Sequence, residues 1–198
     1  MIPLVSTDCI NNWLIKDELF HTSHHAIEGF LGGGMLYYSL AYLCKSACSV
    51  CLGSGSGFVP RIMKQAQYDL GIDGETILID ADLPEAGWGD PDYHNRDCFF
   101  KQNFDIQIIK AKTDEAIEQI RGKRIDYLHI DADHSYEWVK HDYFAYKELL
   151  RPNAITTFHD SMVCTGVQPF IKELKENPRY EVVNIEIGTG VALVRELP

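Results

Sequence analysis

The amino-acid order predicts an α/β fold: a mostly parallel sheet packed between two layers of helices and closed by an antiparallel hairpin. Short apolar runs at residues 49–52, 76–79, 106–109, 125–130 and 154–158 alternate with stretches of helical periodicity, the pattern of strands joined by helical crossovers. The first run enters its helix through Gly53, Gly55 and Gly57, so the backbone turns tightly with no Cβ in the way. The last two runs, 180–187 and 191–196, are separated only by Gly188-Thr189-Gly190, a hairpin-length loop.

Taken in order, residues 1–34 show little periodicity, and His21, His24 and His25 among them read as a surface-loop cluster rather than a metal site. Gly32-Gly33-Gly34 interrupts the chain ahead of residues 35–43, which are helical and apolar nearly all round and should pack on the sheet beside the first strand. Residues 58–70 carry Val59, Ile62, Met63 and Ala66 on one helical stripe, and Gly71 supplies the stop. The second strand ends in Asp80-Ala81-Asp82. No regular crossover is legible in 83–103, where Pro84, Gly87, Gly89, Asp90 and Pro91 break the pattern among Trp88, Tyr93, Phe99 and Phe100. Such a segment is either a lid or substrate wall, or an ordinary loop whose aromatic rings tuck into the core. After the third strand, residues 113–120 read as a helix with Thr113 at its N-cap and Asp114 and Glu115 in its first turn. The helix 136–150 keeps Val139, Tyr143, Tyr146 and Leu150 on one stripe and ends at Arg151-Pro152-Asn153, and the helix 166–177 ends at Pro178.

Ligands of open α/β sheets bind outside the carboxyl ends of the strands, so the chemistry is expected where the strands stop. Three glycines in a G-x-G-x-G spacing suit a nucleotide-like cofactor at the first crossing. A dinucleotide fingerprint would need glycine at Phe58, and a phosphate-binding Walker loop would need a lysine near Val59, so neither fits. Asp80 is placed to accept hydrogen bonds from both ribose hydroxyls, a turn or capping aspartate being the alternative. Asp131, Asp133 and His134 follow the fourth strand, and His159 and Asp160 follow the fifth. Two carboxylates and an imidazole at one strand end are costly to gather unless something uses them.

The G-x-G-x-G turn, the run Leu128-His129-Ile130-Asp131-Ala132-Asp133-His134-Ser135-Tyr136, and Phe158-His159-Asp160 resemble class I S-adenosylmethionine-dependent methyltransferases, in particular a group of small-molecule and sugar O-methyltransferases. The resemblance covers about residues 35–197. It implies a Rossmann-like three-layer sandwich with a seven-stranded sheet of order 3-2-1-4-5-7-6, in one domain spanning 1–198 with residues 1–34 as an N-terminal extension. It implies S-adenosylmethionine contacts from Gly53, Ser54, Gly55, Gly57, Asp80, Asp114 and Asp131, with Asp114 near the adenine unless its role is helix capping alone. Metal-dependent relatives hold Mg²⁺ at the ends of these strands, which carries over to Asp131, His159 and Asp160. Asp133 or His134 is then the base that deprotonates a small-molecule acceptor. Two departures stand out. Cys51 occupies the position of an acidic residue that often contacts the cofactor, and His159 replaces a carboxylate although Mg²⁺ prefers oxygen.

Composition narrows the class further. With 29 acidic against 18 basic residues and a formal net charge of −11, a general nucleic-acid binder is not expected. No apolar run approaches the about 20 residues of a membrane helix, and Met1-Ile2-Pro3-Leu4-Val5 lacks the features of a signal peptide, so a cytoplasmic site without membrane attachment is the expectation. Six cysteines without even spacing point to free thiols. Cys44, Cys48 and Cys51 have the spacing of an iron–sulfur motif but fall in a helix and a strand, where three thiolates do not converge. Two other readings share the fold: a catalytically silent S-adenosylmethionine-binding module or regulatory partner, and an NAD-dependent dehydrogenase. A homo-oligomer is compatible with all three.

Overall fold

The computed structural model describes residues 5–15, 21–54, 57–81 and 104–198. Gly55, Asp82 and the segment 83–103 lie outside the described residues, so neither the middle glycine of the turn nor the expected lid is placed.

Seven strands form one sheet: β1 (Cys48–Leu52), β2 (Glu75–Asp80), β3 (Gln107–Lys110), β4 (Ile125–Ile130), β5 (Leu150–His159), β6 (Tyr180–Ile185) and β7 (Val191–Glu196). Their order is β3-β2-β1-β4-β5-β7-β6. The first five run parallel, and β7 pairs antiparallel with both β5 and β6. This is the order that the resemblance implies, closed by the hairpin. Helices α1 (Gly34–Leu43), α2 (Phe58–Leu70), α3 (Thr113–Ile120), α4 (Tyr136–Lys147) and α5 (Val167–Glu176) cover its faces.

The central strands are apolar at consecutive positions because both sheet faces are covered, as parallel sheets require. Alternation in the pleat then sends neighbours to different cores. Val50, Leu52, Ile77, Ile79, Leu128 and Ile130 pack into one core with Tyr143, Phe158 and Phe170. Cys51, Leu78 and Tyr127 face the other, with α1 and α2. Cys48 and Cys51 therefore belong to opposite cores, and the described cysteines are free thiols. No helix among the described residues is long and apolar enough to cross a membrane.

Helix α2 buries Val59, Ile62, Met63 and Ala66, the stripe expected from periodicity. It stops at Gly71 in the left-handed region (φ 65°), whose N–H reaches the carbonyls of Gln67 and Tyr68. Several boundaries differ from the sequence reading: α4 stops at Lys147, so that Leu150, expected on its stripe, opens β5 instead, and β6 stops at Ile185. Thr113 is the first helical residue of α3 and Lys112 holds the cap position, because the Thr113 hydroxyl is turned inward to donate to Asp142 Oδ1 at 2.6 Å. Strand β5 begins at Leu150, four residues early; Asn153 turns left-handed (φ 67°) and the β4 register shifts between Ile125 and Tyr127, so the strand tolerates Pro152 through a bulge.

The second core depends on the segment that lacked periodicity. Short helical turns at Thr7–Cys9 and Ile10–Leu14 begin where the Ser6 hydroxyl accepts from Cys9 N at 3.1 Å. Ile10, Leu14, Ala26 and Leu31 are buried against Tyr37, Phe58 and Ile62. The buried guanidinium of Arg61 donates to the Leu14 carbonyl at 3.3 Å, tying these turns to α2. Leu14→Ala is expected to destabilise the chain by about 2–5 kcal/mol in urea unfolding, the range for a fully buried leucine. A loose extension would lose almost nothing.

Candidate active site

The carboxyl ends of β1, β2, β4 and β5 bring the candidate residues to one rim. Gly53, the residue after β1, adopts φ 67°, and a Cβ there would collide with the Asp131 carbonyl. Its N–H donates to Ile79 O and the Asp131 N–H donates to Leu52 O, both at 2.8 Å, so the loops leaving β1 and β4 are drawn together. Glycine is demanded here first by the neighbouring strand. Gly57, also left-handed (φ 93°), turns the chain into α2. Ser54 is buried directly after Gly53.

A cavity of about 480 Å³ opens at this rim, lined by Gly53, Asp80, Lys112, Thr113, Asp131, Asp133, His134, Trp138 and Asp142 among others. Asp80, buried at the end of β2, borders the same cavity as Gly53. Ser54, Gly57 and Asp114 are not among its described lining residues. Asp114 is exposed and accepts from the Glu115 N–H at 3.1 Å, a capping contact, while Thr113 and Asp142 present the adjoining polar wall. Burial pushes the Asp142 carboxyl above its ordinary range.

Beside the cavity, Asp131, His134, His159 and Asp160 form a ring of alternating charge. Asp131 Oδ1 lies 3.0 Å from His159 Nδ1 and 3.2 Å from His134 Nε2. Asp160 closes the ring, with Oδ2 at 3.3 Å from His134 Nε2 and Oδ1 at 3.4 Å from His159 Nδ1. Burial alone would raise the Asp131 carboxyl, but the charge of His159 and the imidazoles of His129, His134 and His159 outweigh it and hold the group well below its usual range. For His134 and His159 burial pulls down, and the facing carboxylates win and raise both. His129 shows the opposite balance: fully buried on β4, with Nδ1 on Thr157 Oγ1 at 2.8 Å, it is lowered by burial. Asp160 takes up a left-handed backbone (φ 55°), an unfavourable conformation held by the N–H groups of Val163 and Cys164 on its carbonyl.

Asp133 does not join the ring. It is exposed and its Oδ1 accepts from Ser135 N at 2.7 Å, capping the start of α4, although it still borders the cavity. His24 is the residue that sequence reasoning missed. Expected on a surface loop, it is buried, with its ring 4.7 Å from that of Phe58 and 4.4 Å from that of His159. Tyr37 OH is 3.2 Å from its Nδ1. Glycines explain the approach: side chains at Gly32 or Gly188 would strike the backbone of residues 23–25. The three consecutive glycines were the available signal.

The profile of the methyltransferase domain family matches residues 50–161, from β1 through the end of β5. The chain belongs to this methyltransferase family. Solved structures agree on the fold. The O-methyltransferase TomG from Streptomyces achromogenes, in complex with SAM, aligns at TM-score 0.68 and 14% identity over 95% of this chain and 91% of its own. An SAH-bound methyltransferase from Podospora anserina aligns at TM-score 0.68 and 15% identity over 92% and 84%. An O-methyltransferase from Bacillus cereus in complex with SAH gives 0.63 and 14% over 83% and 80%. No curated protein sequence matches.

In this methyltransferase Cys51 cannot replace the missing acidic contact. Its thiol is fully buried, donates to Gly53 O at 3.0 Å, and is pushed well above its ordinary pKa by burial. The ring of two carboxylates and two imidazoles likewise does not match Mg²⁺, which demands oxygen donors. Gly53→Ala is expected to lower stability by about 1–3 kcal/mol, from the strained φ and the push against β4, read as the urea midpoint.

Proposed function

We propose that the chain is an S-adenosylmethionine-dependent O-methyltransferase acting on a small-molecule alcohol or phenol. One observation carries this reading: the cavity bordered by Gly53 and Asp80 is also bordered by Asp131 and His134, so a cofactor-sized hollow and an acid–base ring share a wall. S-Adenosylmethionine, when bound, supplies a methyl group activated by its sulfonium.

The remaining work falls to the protein. Asp80 accepts from the ribose hydroxyls, and the chain between Lys112 and Thr113 with Asp142 receives the base end of the cofactor. The acceptor hydroxyl approaches the ring from the His134 side, where the side chain is 27% exposed while that of Asp131 is 9% exposed. A methyl group from the bound sulfonium would pass to its oxygen, and its proton would pass to His134 Nε2. Asp131 and Asp160 orient that imidazole and stabilise its cationic form. The net acidic charge and the acidic rim favour a neutral or cationic acceptor over a polyanion. The whole chain serves as one catalytic domain in this reading, with His24 backing His159 on the acceptor side.

The deciding experiment is turnover of S-adenosylmethionine to S-adenosylhomocysteine across a panel of alcohols and phenols. Product with at least one acceptor is expected; cofactor binding without turnover across the panel would favour a silent binding module. Asp80→Asn is expected to weaken S-adenosylmethionine binding by about 10–100-fold in calorimetry through the loss of charged hydrogen bonds, with the unfolding midpoint little changed. His134→Asn should lower kcat by about 10²–10⁴-fold while the cofactor Kd stays the same.

A further inference from the structure

The ring at the ends of β4 and β5 has a second property, visible in its donor atoms. Two are imidazole nitrogens, His134 Nε2 and His159 Nδ1, and two are carboxylate oxygens, and all lie within 4.8 Å of one another. Asp131 Oδ1 stands 3.0 Å from His159 Nδ1 and 3.2 Å from His134 Nε2, and Asp160 faces the same two nitrogens with a different oxygen each, Oδ1 at 3.4 Å and Oδ2 at 3.3 Å, separations compatible with donors about 2.1 Å from one divalent cation. Magnesium seldom accepts such a set, whereas imidazole with carboxylate suits first-row transition ions.

The surroundings support ligation as well. A ligating histidine has its other ring nitrogen held by an outer partner that fixes the tautomer. His159 meets this condition, with Nε2 at 3.1 Å from Thr189 Oγ1, and its ring is packed against His24. When Thr189 accepts from Nε2–H, the Nδ1 lone pair points into the ring of donors. A fully buried nitrogen, His129 Nε2, has no hydrogen-bond partner and stands 3.9 Å from Asp131 Oδ2.

We propose that Asp131, His134, His159 and Asp160 bind one first-row transition divalent cation, of the Mn²⁺, Fe²⁺, Co²⁺ or Zn²⁺ kind, in preference to Mg²⁺. The inference rests on the methyltransferase reading and changes one role within it: with the cation in place, His134 is its fourth ligand. Such an ion is a Lewis acid that lowers the pKa of a nearby acceptor hydroxyl.

The test uses the full chain stripped with EDTA and titrated with Co²⁺, read by visible d–d absorption, with S-adenosylmethionine binding measured by calorimetry on the same sample. Stoichiometric uptake is expected, reversed by equimolar Zn²⁺ but not by roughly a thousandfold excess of Mg²⁺. His134→Gln and His159→Gln should each lose the absorption while melting as the parent does, and His159→Asp should make the site yield to Mg²⁺. Absence of the band, displacement by equimolar Mg²⁺, or a band unchanged in both glutamine variants overturns the proposal. Cobalt uptake without any S-adenosylmethionine binding would support the metal site and overturn the functional reading instead.

Discussion

The site depends on keeping Asp131 ionised where water barely reaches it. A lone carboxylate at this depth would take up a proton, since desolvation penalises the charged form. Three imidazoles surround it, two of them within 3.2 Å. They come from β4 itself, from the loop after β4 and from the end of β5, so the carboxylate is stable only when these elements are in register. Gly53 draws the β1 end onto the Asp131 carbonyl, and the Asp131 N–H bonds back to Leu52. Sheet register and site electrostatics are therefore one constraint seen from two sides.

Much of this was legible in the residues. The alternation of apolar runs with helical stripes gave the layers, because strands buried on both faces must be apolar at successive positions. The glycine turn, Asp80, Asp131 and the His159-Asp160 pair were legible because each ends a strand, and topology brings the carboxyl ends of parallel strands to one rim. Asp114 and Asp133 illustrate the limit. Both are acidic residues beside the rim, and both hold the N–H one or two residues onward, a local duty that composition cannot tell from ligand contact.

His24 was illegible for a different reason. Its role depends on a contact across more than a hundred residues with His159, and the segment around it is shaped by glycines and tight turns, not by periodicity. The same applies to Ile10 and Leu14, whose burial follows from the open face of α2 and leaves no regular pattern in their own short turns. Sequence reading found the helical crossovers other than 83–103, where physics is local, and missed the segment around His24, whose structure is imposed by what it covers.

The meeting of Ser23 and His24 with Gly188 has a consequence for how the protein is made. The wall behind His159 joins the beginning of the chain to the turn of the final hairpin. Loop closure over that span is entropically expensive and must wait for both partners. Strands β1 to β5 pair without this contact, so the wall behind His159 is complete only when the hairpin turn meets the segment around His24.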